Sequence, residues 1–336
     1  ESGARQTIDI VCLGESLIDL FSAEIGCRLS EVSGFLPMPG GAPANVAVAA
    51  RRLGFSAAFI GKVGDDPFGR LLIDSLQSEG VETRGMRIDP EIRTTLAFIA
   101  MPDAQSTEFL FYRHPGADMR LRPDELDEKL PAGARAFHFG SISLGTEPIH
   151  SATLRAIKLA REAGALVSLD VNYRPGLWSG PEAAASAVRA VLPLVHLVKV
   201  NQAELVLLTG TDDPVAGSEA ICHVGPTTCI VTLGADGSWY RVGAAARFAP
   251  AFAVHAVDAT GCGDGFMAGV LVRLIAAGDE WPACLKEDTL GPAVRYGNAV
   301  GALTATQRGA IPALPTAAEV AAFLASRDEE RSHGRT

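Results

Sequence analysis

Several signatures are missing from this chain of 336 residues, and each absence narrows what the protein can be. No apolar run approaches the roughly 20 residues that a membrane-crossing helix needs. The six cysteines, at positions 12, 27, 222, 229, 262 and 284, form no C-x-x-C pair and no metal-ligand spacing, so most read as small core residues of a reducing compartment. Positive charge is in short supply. The formal net charge of −10 argues against a nucleic-acid surface and against an anionic membrane. No G-x-G-x-x-G follows the first apolar run, where only Gly14-Glu15-Ser16 stands, and Gly54 lies too far from Gly61-Lys62 to make a P-loop. A dehydrogenase or a P-loop ATPase would need those turns. There is no internal repeat, no low-complexity linker and no secretory apolar region behind Glu1-Ser2-Gly3, so a cytoplasmic location is expected.

What is present is alternation. Hydrophobic residues make up 48% of the chain and charged residues 20%, the balance of a globular protein able to bury a large core. The length suits one large α/β domain carrying an insertion. Short apolar runs alternate with amphipathic stretches, which predicts a mostly parallel sheet covered by helices. Strands are predicted over Ile8–Leu13, Ala57–Ile60, Leu166–Leu169, Leu197–Val200 and Cys229–Leu233. A helix is predicted over Ala42–Leu53, closed by Gly54; another opens at Asp66-Pro67, an N-cap followed by proline at the first helical position, and ends at Gly80. Thr316-Ala317-Ala318-Glu319 is a capping-box opening for a last helix, and residues 326–336 read as a polar tail beyond a domain placed at 8–325. Two segments, near 17–39 and 94–118, carry strand-like patterns with no helix between the strands. They fit either a small β-sheet laid as a lid over the open end of the main sheet or plain antiparallel edge strands.

The chemistry concentrates in Val257-Asp258-Ala259-Thr260-Gly261-Cys262-Gly263-Asp264-Gly265. Small residues precede one acidic side chain, and helical apolar spacing (Phe266, Val270, Leu271, Leu274) begins at once. A helix N-terminus offers unpaired N–H groups and partial positive charge, a ready site for phosphate, and Gly261 and Gly263 let backbone approach such an anion closely. Asp264 would then stand beside the phosphate, placed to accept a proton from an attacking hydroxyl. That suits phosphoryl transfer to an alcohol, although an Asp in a first helical turn can also serve only the helix dipole.

Two separated stretches carry a family resemblance. One is Gly40-Gly41-Ala42-Pro43-Ala44-Asn45-Val46-Ala47, continuing through Leu53-Gly54 to Gly61-Lys62-Val63-Gly64-Asp65-Asp66; the other is the window from Asp258 to Gly269. Together, in this order and at this spacing, they resemble the PfkB (ribokinase-like) family of carbohydrate kinases, from Val11 to about Leu324. The resemblance implies a ribokinase-like three-layer αβα fold, with a mostly parallel central sheet and a small β-sheet lid. It implies that Asp264 is the catalytic base and that backbone N–H groups of Gly261, Cys262 and Gly263 form the anion pocket for the transferring phosphoryl. Ala259 stands where the family usually has Thr, and Cys262 where it usually has Ala. A thiol at a helix N-terminus can have a lowered pKa, which makes Cys262 a candidate reactive thiol; a small buried thiol fits as well.

By the same resemblance Asp19 grips two neighbouring sugar hydroxyls, Gly40-Gly41 is the hinge of the lid, and Asn45 is a second sugar contact. Arg113, on the lid, lies over the sugar or else pairs with a carboxylate. Arg174, in Asp170-Val171-Asn172-Tyr173-Arg174, holds phosphate or sugar oxygens. Asn201 lies near the ATP phosphates and Glu204 steers Mg2+ through water, though Asn followed three residues later by Glu is also a helix cap. Thr232, Gly234 and Gly237 receive the nucleotide, and Asn298 helps complete the purine pocket. Asp258, Thr260 and Gly309 form a loop for a monovalent cation such as K+. Within the family, Phe111-Tyr112-Arg113-His114-Pro115-Gly116 and His138-Phe139-Gly140-Ser141-Ile142 look like fructokinases; relatives acting on 2-keto-3-deoxygluconate often place Tyr where Phe111 stands. The implied activity is transfer of the γ-phosphoryl of MgATP to D-fructose, giving fructose 6-phosphate. A kinase for another sugar, sugar acid or nucleoside, and a non-catalytic sugar-sensing relative, are the alternatives. A homodimer through the lid is the expected assembly.

Overall fold

A computed structural model describes residues 7–103, 106–278 and 285–333. The elements run β1 (Ile8–Leu13), β2 (Leu17–Ser22), β3 (Phe35–Gly40), α1 (Ala42–Arg52), β4 (Ala57–Gly64), α2 (Pro67–Ser78), β5 (Glu82–Asp89), β6 (Leu96–Ala100), β7 (Glu108–Tyr112), α3 (Lys129–Ala132), β8 (Ala134–Gly140) and α4 (Ile149–Glu162). They continue β9 (Leu166–Asp170), α5 (Pro181–Val191), β10 (Leu197–Asn201), α6 (Gln202–Thr209), α7 (Pro214–Val224), β11 (Thr228–Thr232), β12 (Gly237–Val242), β13 (Ala245–Pro250), α8 (Cys262–Ala277), α9 (Glu287–Thr304) and α10 (Ala317–His333).

Among the described residues the main sheet has the strand order β13-β12-β11-β10-β9-β8-β1-β4-β5, parallel from β5 to β11 and antiparallel in its last two pairs. In β1, Ile10 and Cys12 join the hydrophobic cluster that contains α1 and α8, whereas Val11 and Leu13 join the one that contains α4. Side chains alternate across a strand, so a run apolar at every position is what a sheet covered on both faces requires. α8 is buried nearly all round and packs so closely on α9 that a Cβ at Gly269 would lie 2.9 Å from the Cα of Gly297. A helix apolar on every side belongs in the core.

Two boundaries differ from the sequence expectation. β4 runs on through Gly61 and Lys62 to Gly64, because the buried Lys62 is held by Glu125 at 2.8 Å and Asp89 at 3.4 Å. The last helix does open on its capping box, with Thr316 N–H donating to Glu319 at 2.7 Å, but it continues to His333 where a polar tail was expected from 326. Cys284, read with the core cysteines, lies outside the described residues.

The two helix-free segments form a sheet of their own, ordered β3-β2-β6-β7. β2 pairs antiparallel with β3 and parallel with β6, and β6 pairs antiparallel with β7. This settles the choice between lid and edge strands: none of the four pairs with the main sheet. Chain order departs from β1 in both directions, to β4 and β5 on one side and to β8 through β13 on the other. In open α/β sheets ligands bind at such a switch point, beyond the carboxyl ends of the strands.

Candidate active site

A cavity of about 610 Å³ lies between the lid and the carboxyl ends of the main strands. Its floor is the first turn of α8. Gly261, the N-cap, sits in the left-handed region at φ 78°, and a Cβ there would lie 2.9 Å from the Cα of Ala310. The first intrahelical bond runs from Gly265 N–H to the Gly261 carbonyl at 2.8 Å. The N–H groups of Gly263 and Asp264 precede it and so have no intrahelical acceptor. Cys262 N–H donates to the Ala259 carbonyl at 3.2 Å, which leaves it the least available of the three amides assigned to the anion pocket.

Asp264 lies on the cavity wall, 9% exposed, and Asn45 Nδ2 donates to its Oδ2 at 2.8 Å. Asn45 sits in the first turn of α1, so the two helix N-termini meet at the carboxylate. Burial pushes the Asp264 carboxyl up to about 6; the Asn45 hydrogen bond opposes this, Asp170 adds to it, and Lys199 and Arg174 oppose it. A carboxylate poised near there is ionised at neutral pH yet a better base than a solvated one. Asp19, on β2, faces the same cavity and is pushed up to about 7, by burial first, against the pull of Arg174. Gly40, though not itself in the wall, lies behind Asp19: a Cβ there would fall 2.1 Å from Asp19 Oδ2. Gly41, at φ 108°, lets the chain pass from lid to α1 against the Glu15 carbonyl. Phe111 lines the cavity from β7 beside Phe109, and the Arg174 guanidinium lies 5.9 Å over the Phe109 ring.

Sequence reasoning missed two charged residues of this wall. Lys199 Nζ donates to both oxygens of Asp170 at 3.0 Å, and a Cβ at Gly263 would come within 3.0 Å of that ammonium. Burial works against the charge of Lys199, but Asp170 and Glu204 outweigh it and hold the group above its ordinary value. A lysine within the apolar strand Leu197-Val198-Lys199-Val200 was the available signal. The other is Glu15, whose carboxyl is pushed up to about 7 by burial.

Other expectations change. Arg113 is absent from the cavity wall: its guanidinium is buried against Asp118, with Nε at 2.8 Å. Glu204 is not brought to the wall either. Its two oxygens accept from Asn201 N–H at 2.8 Å and Tyr173 N–H at 2.7 Å, and Asn201 Oδ1 accepts from Glu204 N–H, so the pair forms a reciprocal helix cap. Burial pushes the Cys262 thiol up to about 12, with Asp258 and Asp264 adding to it, the reverse of the activated thiol. Asn298 spends its side chain on Ser238, Ala249 and Pro250, joining α9 to β12 and β13. Thr232 ends β11 in register with Asn201, and Gly234 and Gly237 follow at φ 59° and 127°. Asp258, Thr260 and Gly309 do come together: Asp258 Oδ1 accepts from Thr260 N–H and hydroxyl at 2.9 and 2.7 Å, and Oδ2 accepts from Gly309 N–H at 2.8 Å. Among the described residues no three His, Cys, Asp or Glu side chains converge on a metal position, and no helix is long and apolar enough to cross a membrane.

The pfkB family carbohydrate kinase model matches residues 7–317. The chain is 45% identical over 318 residues to probable fructokinase-2 of Arabidopsis thaliana, covering 94% of this chain and 95% of that protein. A fructokinase from Xylella fastidiosa solved with bound ATP superposes with a TM-score of 0.87 at 33% identity, over 97% of this chain and 100% of that one. A double-mutant fructokinase from Vibrio cholerae, solved with fructose, ADP and a potassium ion, gives 0.84 at 34% identity over 96% and 100%. With a buried carboxylate at a helix N-terminus, a lidded cavity and a match over nearly its whole length, this chain belongs to the pfkB family of carbohydrate kinases.

Proposed function

We propose that this chain is an ATP-dependent fructokinase, transferring the γ-phosphoryl of MgATP to a hydroxyl of D-fructose to give fructose 6-phosphate. The observation that carries the reading is Asp264: a buried carboxylate on the cavity wall, held at 2.8 Å by Asn45, one residue from the amides of the α8 N-terminus. The sugar enters beneath the lid and gives its hydroxyls to Asp19. The reacting hydroxyl lies at Asp264, which takes the proton as the new oxygen–phosphorus bond forms and the bond from the γ-phosphorus to the departing ADP breaks. The negative charge on the transferring phosphoryl is met by the N–H groups of Gly263 and Asp264, with Lys199 and Arg174 supplying local positive potential in an acidic chain. Phe109 and Phe111 keep water from the reacting face.

Mg2+ belongs here to the nucleotide substrate. The buried charge of Asp258, between two loops joined through Gly309 and Ala305, fits a monovalent cation such as K+ that would steady the anion pocket. The exposed apolar residues Leu110 and Tyr112 on the outer face of the lid support a homodimer through the lid, and the free cysteines support a cytoplasmic setting. An ADP-release assay across ketoses, aldoses, 2-keto-3-deoxygluconate and ribonucleosides tests the reading. Fructose giving the highest kcat/KM is the expected result; another acceptor in that place overturns the substrate, and no acceptor-dependent turnover overturns the activity.

A further inference from the structure

Glu15 stands where a dinucleotide-binding turn is missing, in the link from β1 to the first lid strand. It is 4% exposed, yet it belongs to the wall of the sugar cavity. Its two oxygens have different fates. Oε1 accepts from Ala42 N–H at 3.0 Å, whereas Oε2 is enclosed with no protein hydrogen-bond partner. An enclosed, unpaired carboxylate oxygen is costly, and buried polar atoms in native proteins find partners.

The bond to Ala42 has structural reach. Gly41 caps α1 with no side chain, so Glu15 serves as that helix's cap from another segment of chain and places negative charge at its N-terminus. It also ties together two of the chain's passages between core and lid, residues 14–16 and residues 40–42. One turn further along α1 is Asn45, which holds Asp264. Asn45, on the same cavity wall, also has an unpaired buried oxygen, Oδ1. With Asp19, this side of the cavity is therefore rich in carboxyl and amide oxygens, suited to a ligand rich in hydroxyls.

We infer that Glu15 is a sugar-recognition residue: Oε2 accepts a hydroxyl of the bound sugar while Oε1 caps α1, so that sugar occupancy is coupled to the placement of Asn45 and Asp264. The inference rests on the carbohydrate-kinase reading, and the acceptor that the unmodified protein turns over fastest serves as probe.

Glu15→Gln keeps the shape and an acceptor for Ala42 while presenting an amide donor in place of Oε2. KM for the sugar is expected to rise about tenfold to a hundredfold, with KM for ATP within about twofold of the parent. Singly deoxygenated analogues of the sugar then locate the contact. For one of them, the parent should lose as much affinity as the variant loses for the intact sugar, and the variant should show no further loss. Direct binding by calorimetry reads the same comparison without turnover. Glu15→Gln with unchanged sugar affinity, or with losses that add for every analogue, overturns the inference and leaves the kinase assignment standing. A parent that binds no sugar in the calorimeter overturns both.

Discussion

In the proposed reaction Asp264 is the residue on which the chemistry turns, and its environment sets both its reactivity and its cost. Asp264→Asn should lower kcat about 10²–10⁴-fold while sparing the affinity for ATP, as measured by steady-state kinetics and nucleotide binding. The parent's kcat/KM should fall as the pH drops through about 6, where the base takes up its proton. Stability has the opposite slope. The carboxyl binds its proton more tightly folded than unfolded, from 3.8 to about 6, so its contribution is most favourable at low pH and is lost as pH rises through that window. Asp264→Asn is therefore expected to raise the melting temperature at pH 8, by an amount on the order of 2–3 kcal/mol in unfolding free energy. Cys262 is the contrasting case. With its thiol pushed up to about 12, it should alkylate slowly at neutral pH, and Cys262→Ala should retain most of the parent's activity, since the proposed anion pocket is built of backbone.

At the scale of elements, the site depends on how lid and core are joined. Gly41 passes at φ 108° with a Cβ position only 2.3 Å from the Glu15 carbonyl. Gly41→Ala must therefore shift the α1 N-terminus and with it Asn45. A fall in kcat/KM of at least about tenfold is expected, on the scale that misplacement of a catalytic group brings. On the opposite passages, between β5 and β6 and after β7, the buried Asp118 takes Arg113 and the Thr95 hydroxyl. Removing one partner leaves the other charge stranded. Asp118→Ala should cost about 3–5 kcal/mol in a denaturant titration, and Arg113→Met with Asp118→Leu together should cost less than Asp118→Ala alone. If Arg113→Ala instead raised KM for the sugar with no loss of stability, the direct sugar contact expected from the sequence would be restored.

For the molecule as a whole, the lid has two unlike faces: one closes the cavity and the other carries Leu110 and Tyr112 at 48% and 62% exposure. Sedimentation velocity should show a dimer, and Leu110→Glu with Tyr112→Glu should shift it to monomer. The architecture behind these faces is legible in the sequence. Strand positions in the parallel half were readable because runs such as Ile10–Leu13 are apolar at every position, and the lid because its strands came without helices. Lys62 hid the true length of β4, since nothing local announces that Asp89 and Glu125 will neutralise it.

The amino-acid sequence by itself determined that a small-residue turn leads into a buried helix with Asp264 in its first turn, because glycine conformations and helical periodicity are local properties. It could not determine which distant groups would meet there. Asn45 reaches Asp264 across 219 positions, Lys199 comes to lie under Gly263, and Arg113 turns to Asp118. Local spacing sets the face a side chain takes on its own element. Only the packing of sheet, helices and lid, driven by burial of their apolar faces, decides what stands opposite, and with it the charge and hydrogen bonding each group feels.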